Sequence, residues 1–241
     1  MDFVTITDHD TIDGALSLDH LPDTFISEEL TAQFKGEPQA VHVLCYGVTA
    51  DHHEWLQAHR DDVETCAAYL NEHDITAALA HPFYAVAAPL TARHRRRLAE
   101  LFPIWETRNG SRAKELNLPA FVYIETHGGT AIGGSDDHAG IDIGRTFTET
   151  PRATTPEEFL AHVRSGHAEA HGVTLAFEPE HNNVVDSAAA LISSKCSSSQ
   201  RPNSRASRAL ANRNDGARCM RSSRMVVRTP PAACSSFMPR L

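Results

Sequence analysis

Between Phe3 and His138, short β-rich runs repeatedly give way to clusters of carboxylate and imidazole side chains. Phe3 to Thr7 runs into Asp8-His9-Asp10, Thr24 to Ser27 into Glu28-Glu29, and Thr76 to Ala80 into His81-Pro82. Thr130 to Gly134 leads into Ser135-Asp136-Asp137-His138, and Ala40 to Val48 carries His42 in an apolar setting. Pro103 to Thr107 and Gly144 to Thr148 complete the strand-like segments. Open sheets and barrels both build their sites where strands end. The pattern therefore constrains fold and chemistry together.

Helical periodicity fills the gaps between strands. Leu56, Arg60, Val63, Ala67 and Leu70 recur at the spacing of one helix, with Asp61, Asp62 and Glu64 turned outward. Ala92 to Phe102 reads as a second helix with Thr91 as its N-cap. Thr155-Pro156-Glu157-Glu158 opens a third as a capping box that ends near Gly166. Strands alternating with helices predict an α/β fold around a largely parallel sheet.

The charge divides the chain. Residues 181–241 carry ten Lys and Arg against two Asp and Glu, so residues 1–180 hold a formal charge of −17 although the whole chain carries only −9. The tail is rich in Ser and Arg and lacks sustained periodicity. Val184 to Ile192 can form a short element, but Ser193 to Arg208 is too poor in apolar surface to offset its ordering entropy. The reading is thus a folded unit over 1–172, a linker over 173–180 and a mostly disordered basic tail over 181–241. The abrupt change of composition fits either an arm for an acidic partner or unselected sequence such as a shifted reading frame.

No apolar run approaches the ~18 residues of a membrane span, and Met1-Asp2-Phe3 places acid where a signal peptide needs base. Five cysteines without a repeated spacing argue against a disulfide framework or a structural zinc module. A cytoplasmic location is expected. Gly128-Gly129 and Gly133-Gly134 lack the spacing of phosphate and dinucleotide loops, and no serine sits in a nucleophile elbow. Metal chemistry remains.

Each cluster also has a plainer explanation. Asx hydrogen bonds in a turn account for Asp8 and Asp10, although carboxylates flanking His9 also suit the orientation of a ligand. Alternation does not choose between Glu28 and Glu29, one of which is expected to be solvated. His42 fits a buried core histidine as well as a ligand. Pro82 stiffens the exit that carries His81, and two glycines before Asp136 and His138 permit a tight approach. His52, His53, His59, His73, His162, His167 and His171 read as helical or near-helical, and His94-Arg95-Arg96-Arg97 as a solvated helix face.

Taken in order, these segments resemble the PHP family, named for polymerase and histidinol phosphatase domains. The resemblance rests on Ile6-Thr7-Asp8-His9-Asp10-Thr11, Ser27 to Thr31, Val41-His42-Val43-Leu44, Ala80-His81-Pro82-Phe83, Glu106 to Gly110 and Gly134 to His138. It spans residues 2 to about 172 and does not include the tail. It implies a distorted (β/α)7 barrel holding up to three divalent ions of zinc, manganese or iron at one mouth. It also implies that Glu29 bridges two ions, that His42 and His81 complete one of them, that His9 and His138 hold another, and that Asp136 serves the remaining one. The family's opening His-x-His strand has no counterpart here. The resemblance therefore implies an N-terminally shortened barrel with fewer ions and with pairing groups exposed on the neighbouring strands.

The expected activity is hydrolysis of a phosphate ester by a metal-activated hydroxide. Arg108 and Arg145 are the candidates for gripping phosphate, and Asp8, Asp10 and Asn109 for orienting the ligands. A strongly acidic body with few basic contacts favours a small phosphorylated metabolite or nucleotide over nucleic acid. The competing expectations are a catalytically inactive PHP remnant acting as a scaffold or binding domain, and an amidohydrolase-like enzyme. The latter does not call for this Glu29, His42 and His81 arrangement.

Overall fold

The computed structural model describes residues 2–174 and the backbone of 222–228. Five strands form one mixed sheet in the order β2 (Ser27–Gln33), β3 (Ala40–Tyr46), β4 (Thr76–Leu79), β5 (Ile104–Asn109) and β6 (Thr130–Gly134). A second sheet orders β1 (Phe3–Asp8), β9 (Ser222–Arg228), β7 (Thr146–Glu149) and β8 (Glu169–Gly172). The helices are α1 (Asp13–Leu16), α2 (Ala50–His59), α3 (Val63–Glu72), α4 (Ala92–Leu101), α5 (Lys114–His127) and α6 (Pro156–Arg164). No helix among the described residues is long and apolar enough to cross a membrane.

The sheet is mixed rather than largely parallel. A tight turn after Phe34 joins β2 to β3 as an antiparallel hairpin, because so short a link cannot make a parallel crossover. β3 and β4 are also antiparallel, whereas β4–β5 and β5–β6 are parallel. The strands fall into two hydrogen-bonded sheets that meet at two seams. At one seam Thr148 Oγ1 accepts from Gly133 N–H and donates to Gly133 O, so a side chain stands where a ladder would run. At the other, isolated parallel bridges join Val4 of β1 to Thr24 ahead of β2, and His9 just after β1 to Glu29 of β2.

Several boundaries differ from the periodic reading. Glu28 and Glu29 lie inside β2 rather than after it. The helix predicted through Leu56 and Leu70 is two helices, because Asp62 caps α3 by accepting the Glu64 and Thr65 N–H groups. α5 was not foreseen. Pro119 lies inside it, and an internal proline removes a helix hydrogen bond and masks the signal. Thr91 and Thr155 cap α4 and α6 as predicted, each accepting an N–H three residues on. Ser222–Arg228 is a strand where disorder was expected, paired antiparallel to β1 from Phe3–Val227 to Asp8–Ser222. The remainder of the tail and residues 175–180 of the linker lie outside the described residues.

The five-stranded sheet is buried on both faces. Leu30, Val43, Cys45, Leu79 and Trp105 pack on one side with Leu56, Val63, Leu70 and Leu98. Leu44, Tyr46, Ala78, Ala80, Ile104 and Ile132 pack on the other with Phe3, Phe159 and Val163. Strand parity decides which polar side chains join that second, interior face. Glu29 sits opposite Leu44 in the ladder, one diagonal step from His42, and both belong to the Leu44 face. Glu106 follows Ile104 at the same parity, and Asp136, just beyond β6 at φ +44°, lines the same interior space as Glu29 and Glu106.

Candidate metal centre

Four donors converge at one end of this interior face. Oε1 of Glu29 lies 2.7 Å from His42 Nδ1 and 3.3 Å from His81 Nε2, and the two nitrogens are 3.2 Å apart. His9 Nδ1 stands 3.9 Å from the same oxygen. A tetrahedral ion with ~2.0 Å bonds has ligand–ligand edges of roughly 3.3 Å. The Glu29, His42 and His81 triangle is therefore the size of one face of such a polyhedron. His9, Glu29 and His42 also gather as a three-donor group. Two imidazoles and a carboxylate suit zinc, manganese or iron.

The backbone explains how each donor arrives. His42 belongs to β3 by parity. Ala80 N–H donates to His42 O at 3.0 Å, which brings the end of β4 beside it, and His81 then turns at φ +27°. Asp10 N–H donates to Glu29 O at 3.0 Å and aligns the His9 turn with β2. A Cβ at Gly14, under that turn, would fall 2.0 Å from Asp8 Oδ2 and force the Asp8 carboxylate to shift.

Electrostatics follows from this packing. Burial alone raises the Glu29 carboxyl, but hydrogen bonds from His42 and His81 outweigh it and hold the group well below the usual carboxylate range. His81 is lowered by its burial yet raised on balance by Glu29. His9 is lowered, chiefly by burial. Glu106, which is fully buried, is pushed up to about 7 by burial, with Asp136 adding to the rise.

Glu106, in β5, opens the Glu106 to Gly110 segment and ties the site together. Its Oε2 accepts the His81 backbone N–H at 2.9 Å and Asn109 Nδ2 at 2.9 Å, and Asn109 Nδ2 also donates to Asp136 Oδ2 at 3.0 Å. One buried carboxylate and one amide thus tie His81 to Asp136. A lone acid in the apolar run Ile104-Trp105 at interior parity was the available signal.

The other predicted residues divide. Asp136 turns at φ +44° with Oδ1 3.5 Å from His138 Nδ1, and that ring nitrogen lies 3.0 Å from the Asp136 carbonyl. A carbonyl only accepts, so Nδ1 carries the proton and Nε2 keeps its lone pair. The His138 ring is 6.4 Å from that of His9, outside the tight group. Asp10 pins its turn to β2 and α2, accepting Thr31 N–H at 2.8 Å and pairing with Arg60 at 3.0 Å. Asp8 packs against Gly14, with Oδ1 buried.

Glu28 is not solvated. It faces α2, completely buried, and Oε2 meets His53 Nδ1 at 2.8 Å and Gln57 Nε2 at 3.0 Å. Arg108 donates to Gly172 O at 2.7 Å, and Arg145, largely exposed, pairs with Asp142. Neither lines the metal cluster. Arg112, which drew no attention in the sequence, stands 3.6 Å from Asp136 Oδ2.

Residues 111–168 match the family model described as PHP-associated, which relates the chain to the PHP family. The matched stretch includes Arg112, Asp136 and His138. No curated protein matches the chain.

Proposed function

From this relation to PHP-associated sequences, we propose that the chain is a metal-dependent phosphoesterase acting on a small phosphorylated metabolite or nucleotide. The observation that carries the reading is the Glu29, His42 and His81 triangle, whose edges suit a single divalent ion. In this reading the two sheets are parts of one distorted (β/α)7 barrel joined at the Thr148–Gly133 and His9–Glu29 seams. Residues 1–172 form the metal-holding unit. Glu29, His42 and His81 hold one zinc, manganese or iron ion, and His9, Asp136 and His138 serve neighbouring positions.

Such an ion lowers the pKa of a bound water toward neutrality and polarises the phosphoryl oxygens. The chain's own groups prepare that environment. Glu29 stays ionised at neutral pH and supplies charge. His42 is aimed by its place in β3, and Glu106 fixes the turn that presents His81. Asn109 orients Asp136, and a partly protonated Glu106 limits the repulsion between these neighbouring carboxyls. The formal charge of −17 over residues 1–180 disfavours a polyanion except where an ion is held.

The test is release of inorganic phosphate from a panel of small phosphomonoesters by the full chain with manganese or zinc. Release abolished by chelation and by Glu29→Gln is expected. A chain that binds the ion yet releases nothing from any ester would sink the reading.

A non-catalytic binding domain is the second reading. It is favoured by the fact that the three-donor group among the described residues contains neither Asp136 nor His138. Fewer than about one tightly held ion per chain would select it.

A further inference from the structure

Arg112 is held in place without using its donors fully. Its guanidinium lies over the Tyr84 ring, 4.2 Å from the centroid, and Nη2 stands beyond hydrogen-bond length from Asp136. Its Nε is buried without a partner among the described residues. A buried donor left unsatisfied calls for a missing acceptor. The Nε and Nη edge of a guanidinium matches two oxygens of a carboxylate or phosphate.

The same arginine lines a cavity of about 250 Å³, together with His81, Phe83, Tyr84, Leu116 and Pro119. His81 places its inner end against the metal cluster. A void of roughly 150 Å³ already accommodates benzene, so this one has room for an aromatic ring. Tyr84 is half exposed although Arg112 covers one of its faces. Glu115 and the buried Glu106 are also on the wall, and both disfavour negative charge away from Arg112.

Resting on the phosphoesterase reading above, we infer that this cavity is the substrate pocket: Arg112 clamps the phosphate of an aromatic phosphomonoester, and Tyr84 stacks its ring. Arg108 and Arg145, engaged elsewhere, take no part.

Binding separates this inference from turnover. Calorimetry on the full chain supplied with zinc or manganese would use inorganic phosphate and phenyl phosphate as probes. Phenyl phosphate should bind more tightly than phosphate. Arg112→Gln should weaken both by tenfold or more, Arg112→Lys should restore part of the loss, and Arg108→Gln should change neither. Tyr84→Leu should remove the phenyl advantage and leave phosphate affinity in place.

Circular dichroism melts establish that each variant folds, and the conservative Arg112→Lys serves if Arg112→Gln does not. Wild-type affinity in folded Arg112→Gln, an undiminished phenyl preference in Tyr84→Leu, or no binding of either probe by the wild type overturns the inference. Binding that depends on Arg112 without any ester hydrolysis would instead overturn the activity and leave the pocket standing.

Discussion

Nδ1 of His42 lies 2.7 Å from Oε1 of Glu29, joined across two antiparallel strands by a diagonal step of the ladder. The contact makes Glu29 the hub, since His81 and His9 approach the same oxygen. Glu29→Gln keeps the shape but removes the charge. It should lower zinc or manganese affinity by about 100-fold or more, measured by calorimetry, because a neutral amide is a poor ligand for a hard or borderline cation. Glu28→Gln, on the opposite face of β2, should leave ion affinity within a few-fold.

Glu106 makes the metal-free protein sensitive to pH in the direction opposite to an ordinary salt-bridged acid. Its carboxyl is raised from 4.5 to about 7 in the folded chain. Its stabilising contribution is therefore complete below pH 4.5 and is lost as pH rises through about 7. By linkage the loss is on the order of 3 kcal/mol. Glu106→Gln should flatten this part of the profile, raising metal-free stability at pH 8 relative to its value at pH 5. Urea melts at the two pH values check it, and an equal slope in wild type and variant would refute it.

Glu29 works the other way. Its folded-state carboxyl is depressed, so its contribution is present above pH 4.5 and is lost as the solution is acidified through the lower folded value. His81, raised on balance, must lose its proton to ligate, so ion affinity should fall from pH 8 to pH 6. Competition titrations with a chromophoric chelator at the two pH values should show weaker binding in acid.

Gly14→Ala should destabilise the chain by about 1–3 kcal/mol, because its Cβ would meet Asp8 Oδ2 at 2.0 Å. The strain falls beside His9, so ion affinity should drop as well. Asp8→Ala in the same chain should recover much of the stability. A double variant no better than the single one in thermal melts would contradict this account.

A chain ending at Thr174 lacks β9, leaving the β1 groups that pair with it open to solvent. The amides of β1 that bond to β9 should then exchange with deuterium at least tenfold faster, while those of β3 keep their protection. Unchanged protection across Phe3–Asp8 would argue against the pairing of β1 with Ser222–Arg228.

Much of this arrangement was legible in the chain itself. Thr91 and Thr155 announce helix starts through local hydrogen bonds, and His9, His81 and Asp136 stand next to strand ends. Such signals depend on residues within a few positions of one another. The division of charge between residues 1–180 and the tail is likewise a property of the sequence. The periodicity failed where local rules compete, as at Asp62, which caps a new helix inside an apparently continuous one, and at Pro119, which sits inside a helix it should weaken.

Tertiary structure alone decided the rest. Alternation separates Glu28 from Glu29, but only pairing with β3 tells which face is interior, because that face is defined by Leu44, Tyr46 and the strands beyond. The same cause promoted Glu106 from a strand residue to the tie between His81 and Asp136. It also withdrew Arg108 to the carbonyl of Gly172 and left Arg112 at the cavity. The sequence determined which chemical groups were available and where along each strand they stood. The packing of distant strands, whose contacts no local pattern encodes, chose which of those groups meet.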